Sequence, residues 1–250
     1  MKKILILGLF GMLFLALSSC QSNKEKKYLG LKGKIESIKD TQFEAKEKFG
    51  EVIPQDNIML VEKYIFNDNG QIASLTYYNG DGEEIFSMKN EFKDGKCCLV
   101  KTHQQYNDIS ATQTPVSMTT TNEIWNVKTS LGNTEHVYIE FDKAKQNKTI
   151  IRKSSDGKEI NKTLEKYDAQ GNLIENKITN TDGNAVYWTK SKFDENNQEI
   201  ERKNLAGGYG EGIFAYKYTE IDEKGNWTNK IEYKDGEVES ITVREIKYSN

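Results

Sequence analysis

Few residues in this chain are of the types and spacings that do chemistry. Cysteine occurs only at 20, 97 and 98, and histidine only at 103 and 136. No CxxC pair is present, and His103 and His136 sit in no metal-protease or paired-ligand pattern, so no metal site is expected. Cys97 and Cys98 are adjacent. On a strand, neighbouring side chains point to opposite faces, so one thiol should be buried and the other exposed. A strained vicinal disulfide is the alternative in an oxidising compartment. The Asp-x-Asp-Gly-like runs at Asp68, Asp81, Asp156, Asp182 and Asp235 lack the terminal Glu of a calcium loop and read as turns. The 38 acidic residues offer no pair that stands out. No nucleophile elbow, catalytic dyad or nucleotide fingerprint occurs, so neither a catalytic residue nor a cofactor is expected. The remaining candidates are large aromatics that could stack on a ligand: Trp125, Tyr187, Trp188, Tyr209 and Trp227.

Cys20 has a different setting. Lys2 and Lys3 precede an apolar run from Ile4 to Leu17, which ends in Leu17-Ser18-Ser19-Cys20. That is a charged start, an h-region too short for a membrane span, and a cysteine directly after small residues. It resembles the signal and lipobox of bacterial lipoproteins. The resemblance implies a signal peptide over 1–19, diacylglycerol on Cys20, and a polar tether over 20–30. Gln21 is not the Asp that retains such proteins at the inner membrane, so the same resemblance implies the outer membrane, on a face left open. The expected partners are the membrane, through this lipid, and an unidentified protein or glycan.

Losing Lys2 and Lys3 with the signal moves the formal charge from −3 to −5. That is mild and argues against nucleic acid as a partner. The mean hydropathy of −0.74 is low for a thick two-layer core. Thirteen Tyr and ten Phe nevertheless argue against disorder, and with only two Pro they suit thin or curled sheet.

A repeat of about 26 residues positions everything else. Phe66-Asn-Asp-Asn-Gly-Gln-Ile72 returns as Tyr167-Asp-Ala-Gln-Gly-Asn-Leu173, as Phe193-Asp-Glu-Asn-Asn-Gln-Glu-Ile200 and as Ile221-Asp-Glu-Lys-Gly-Asn-Trp227. Shorter echoes begin at Phe92 and Phe141, which leaves one degenerate unit between them. A second turn signal lies mid-unit, at Asn79–Gly82, Ser155–Gly157, Thr181–Gly183 and Lys234–Gly236. Turns every 12 to 14 residues, with β-branched and aromatic residues between, predict an all-β antiparallel meander of about 14 strands over 31–250. The units resemble the YD (RHS-type) repeat, most closely at Tyr167–Leu173; that resemblance implies antiparallel β structure and no activity. Ile174, Asn176 and Ile178 alternate with residues that are also mixed, as do Phe214, Tyr216 and Tyr218. Each face is therefore partly covered, which predicts a curled open sheet or a barrel.

Residues 33–45 read as a first long strand, with a helical turn over 44–48 as the alternative. Segment 104–135 breaks the repeat, as a drifted unit or a functional insertion. Residues 206–212, around Tyr209, read as a long hairpin loop. The function expected is that of a membrane-anchored binding or interaction module. A glycan-binding accessory and a structural envelope protein are the alternatives.

Overall fold

A computed structural model describes residues 31–94, 96–105, 108–206 and 210–249, with the backbone alone at Lys96. Cys20, the signal, the tether and Tyr209 lie outside the described residues.

The strands are β1 (Ile35–Lys48), β2 (Glu51–Phe66), β3 (Ile72–Asn79), β4 (Glu84–Lys93), β5 (Lys96–Gln104), β6 (Ile109–Met118), β7 (Asn122–Thr129) and β8 (Thr134–Asp142). They continue as β9 (Asn147–Ser154), β10 (Glu159–Tyr167), β11 (Leu173–Asn180), β12 (Ala185–Phe193), β13 (Glu199–Ala206), β14 (Gly212–Ile221), β15 (Trp227–Lys234) and β16 (Glu237–Tyr248). Each strand pairs antiparallel with its chain neighbours, and β1 closes on β16 to make a barrel. The sequence pattern leaves open sheet or barrel undecided; closure decides for the barrel. The count of sixteen exceeds the fourteen expected, because the aperiodic segment 104–135 is regular strand. It forms β6 and β7, so it is the drifted unit and not an insertion.

The repeat has a geometric meaning. Every connection that follows a leading aromatic or aliphatic residue lies on one rim, and every mid-unit turn lies on the other. On the first rim Asn67, Asp194 and Asp222 each accept from the backbone N–H groups two and four residues on, at 2.8–3.0 Å. Asp168 accepts from Asn172 in the same way, at 2.8 Å. On the second rim Asn79 and Asn180 do the same at 2.9–3.1 Å. These side chains mimic a backbone turn and fix the hairpin register. The fourth turn position needs positive φ. Gly70, Gly171 and Gly225 supply it, and Asn197 takes the same conformation at φ 61°. Met118, 26 residues on from Phe92, ends β6 on this rim, and Thr119 Oγ1 accepts from the Asn122 N–H at 2.9 Å. This is the degenerate unit.

Bulges follow these turns, as between Ile65 and Phe66 and between Lys166 and Tyr167. They set the leading aromatic and the residue after the turn directly opposite each other: Phe66 with Ile72, Phe92 with Cys97, Tyr167 with Leu173. An extra residue in one strand re-aims its side chains, so these pairs point inward and close the first rim. β1 runs as strand through Lys48, which rules out a helical turn there. Beyond Glu44 it pairs with β2 alone, so the β1–β2 hairpin projects past the second rim.

Candidate functional site

Registers define a single inward face around the barrel. From β3 to β9 that face is packed: Phe86, Met88, Val100, Trp125, Val137 and Ile150 are all at most 1% exposed. Sixteen strands on a circle would enclose a channel. Side chains buried to this degree cannot line one, so the walls here close until their inner faces meet. Lys148 is buried in this packing against Glu165 (3.2 Å), and Arg152 is paired with Glu135.

From β10 through β16 to β2 the inward face mixes apolar residues such as Ile38, Ile178 and Phe214 with a set of charged and polar groups. Arg244 on β16 donates to both Asp40 carboxylate oxygens of β1 at 2.7 and 2.6 Å, and its guanidinium lies 3.5 Å from the centre of the Trp227 ring. Glu62, directly across β1–β2 from Asp40, accepts from the Tyr64 hydroxyl at 2.5 Å. Enclosure by the wall, and then the Asp40 charge, push the Glu62 carboxyl above its ordinary range. Burial does the same to Glu232 on β15. Burial also drives the Tyr216 and Tyr218 hydroxyls far above theirs, so both stay neutral donors. Arg202 points inward beside Tyr216, holds Glu199 at 2.5 Å, and keeps 42% of its side chain accessible. Solvent therefore reaches the interior in this sector.

One row of inward side chains runs straight across β10–β13: Glu165, Asn176, Thr189 and Asn204 are successive cross-strand partners. The carbonyl oxygens of Asn176 and Asn204 are buried and make no hydrogen bond, nor do those of Asn161 and the hydroxyl of Thr163 beside them. An unsatisfied buried acceptor costs about 1–3 kcal/mol. The four lie on β10, β11 and β13, and together they can accept from a ligand rich in hydroxyl or N–H donors. Only their tertiary adjacency marks them; their sequence positions carry no signal.

The aromatic candidates do not form one platform. Trp125 is fully buried and donates to Glu123 at 3.0 Å, and Trp227 is 9% exposed beneath Arg244. Tyr187 faces inward beside Arg202. Trp188, one residue on, therefore faces outward. Cys97 is buried and Cys98 is an exposed free thiol, so strand alternation holds and the vicinal disulfide is not formed. His103 and His136 bond Ser110 (3.0 Å) and Asn126 (2.7 Å). No cluster of three metal-ligating side chains occurs among the described residues. A depression of about 300 Å³ on β7–β9, lined by Ile124, Tyr138 and Ile151 among others, contains neither Glu62 nor Glu232.

The sequence matches no known family model, and no curated protein matches it. Among solved structures, a porin-like protein from Bacteroides uniformis aligns over 85% of this chain and 98% of its own, at 12% identity and a TM-score of 0.51. The chain thus has the fold of a closed antiparallel meander barrel similar to that porin-like protein.

Proposed function

We propose that this chain is a cell-envelope lipoprotein, held to the outer membrane through Cys20. Its barrel stands in water beside the membrane and binds a small, donor-rich polar ligand in the polar sector. The observation that carries the binding reading is the group of unpartnered acceptors on Asn161, Thr163, Asn176 and Asn204.

The anchoring reading draws on the sequence of the first twenty residues and on the direction in which the chain enters the barrel. Asn226 Oδ1 accepts from the Lys32 N–H at 2.7 Å, and its amide donates to the Lys32 carbonyl at 2.9 Å. The tether therefore leaves from the first rim, and the β1–β2 hairpin points away from the anchor. The eleven chain steps from Cys20 to Leu31 span at most about 40 Å.

The wall argues against membrane insertion. Its mid-strand outward positions include Lys63, Lys89, Lys101, Lys162 and Lys190. A lipid-facing lysine costs about 2–4 kcal/mol at the bilayer midplane, and spanning barrels carry an apolar band there. This reading is of a binding module and not a catalyst.

Two experiments test these parts separately. Acyl labelling and membrane fractionation of the wild type against Cys20→Ala should show label and membrane retention lost together. Retention unchanged in the variant overturns anchoring. Calorimetric titration with neutral mono- and disaccharides, amino sugars and polyols should find a ligand whose affinity falls at least about tenfold in the Asn176→Ala/Asn204→Ala double variant. No binding across the panel by folded protein overturns the lumen site.

A further inference from the structure

The outer wall of β10–β13 is charged out of proportion to the chain. The molecule as a whole is net negative. Yet the outward strand positions between residues 162 and 203 carry six lysines, 162, 166, 177, 190, 192 and 203, against two glutamates, 175 and 201. Both glutamates are already occupied. Glu175 holds Lys166 at 2.8 Å and accepts from the Trp188 indole N–H at 2.8 Å. Glu201 holds Lys192 at 3.0 Å and Lys203 at 3.8 Å. Lys162, Lys177 and Lys190 make no ion pair among the described residues. The ammonium groups of Lys177 and Lys190 instead lie 4.6 and 5.2 Å from the centre of the Trp188 ring.

Two features go against what sheet stability alone selects. Lys190 and Lys203 sit directly opposite each other on β12 and β13, a like-charge pair that destabilises a sheet. Trp188 stands on a water-facing wall, fixed at its nitrogen by Glu175, among cations. Strands lie about 4.8 Å apart and outward residues about 6.8 Å apart along a strand, so the wall presents a grid of cations around an indole.

We propose that this wall docks a carboxylate-bearing polysaccharide, with the lysines meeting the carboxylates and Trp188 meeting a sugar face. A flat anionic membrane is the weaker fit. A barrel wall is convex and touches a plane along a narrow strip, so lysines on four successive strands cannot all reach it, whereas a flexible chain can follow the curve. The wall lies on the opposite side of the sheet from the acceptor row, and this inference does not depend on the lumen site.

The test is titration of the detergent-purified full protein with polygalacturonate, with dextran as the neutral polysaccharide and phosphatidylglycerol vesicles as the anionic surface. Binding to polygalacturonate is expected at about 0.05 M salt and largely lost at about 0.5 M. The Lys162→Gln/Lys177→Gln/Lys190→Gln variant should weaken it at least about tenfold with an unchanged circular dichroism spectrum. Trp188→Ala should weaken it several-fold, and Asn176→Ala/Asn204→Ala should leave it unchanged. Absence of binding at low salt, equal binding by the triple variant, equal binding of dextran, or tighter binding to the vesicles would each overturn the proposal.

Discussion

The two sectors of the barrel interior share one backbone plan and differ in what fills it. From β3 to β9 the inward positions hold Phe86, Trp125, Val137 and Ile150, and the wall closes on them. From β10 to β2 the same positions hold Asn176, Asn204, Arg202, Glu62 and Asp40, which leaves solvent a way in. Hairpin chemistry is alike in both, since Asn67 and Asp168 cap their turns in the same way. A meander thus separates two tasks. Turns and ladders build the barrel, and the inward residue decides strand by strand whether a sector packs closed or keeps polar groups inside.

Substitutions can sharpen or break that contrast. The largest effect is expected from Trp125→Ala, which empties a fully buried site and leaves Glu123 without its indole donor; denaturant melts should show a loss of about 3–5 kcal/mol. Tyr187→Ala, in the polar sector, should cost under about 1 kcal/mol in the same assay. Similar losses for the two would erase the distinction.

Lys148→Ala leaves the 8% exposed Glu165 side chain without its cation, with the Tyr167 hydroxyl as a remaining donor at 2.6 Å, and should cost about 3 kcal/mol. The paired change Lys148→Met/Glu165→Leu should recover most of that, because the pair's mutual attraction largely offsets its own desolvation. A double-mutant cycle measures this directly.

Glu62 gives a smaller effect that depends on pH. Its carboxyl binds a proton more tightly in the folded protein than in the unfolded chain. Its favourable contribution is therefore fully present below the ordinary glutamate range and is lost as pH rises through the raised value. Glu62→Gln should accordingly stabilise the protein near pH 8 and change little near pH 4, as read from urea midpoints at the two pH values. An equal shift at both would show that Glu62 is not held above its usual range. The smallest effect is expected at the second rim, where Asn180→Ala removes two side-chain acceptances and should cost about 1 kcal/mol.

Much of the fold was legible because turn chemistry is local. Asn or Asp with Gly three residues on forces a reversal whatever lies elsewhere in the chain, so the period of the turns already specified an all-β antiparallel meander. The degenerate unit was harder to see, because Thr119 replaces the usual Asn or Asp and no Gly follows it. The candidate site was not legible at all. Asn161, Asn176 and Asn204 look like ordinary polar strand residues, and the aromatics singled out for stacking, Trp125 and Trp227, are packing residues. Alternation says that neighbours differ in face. It does not say which face is inside when both are mixed.

The sequence by itself determined the local reversals, the antiparallel pairing of neighbours and the opposite facing of Cys97 and Cys98. Only the tertiary structure decided that β1 meets β16, because the pairing of the first and last strands spans the whole chain and leaves no local mark. Closure then set which face became the interior. That choice brought the acceptors of three strands together on one side of the wall and left the lysines, with Trp188, on the other.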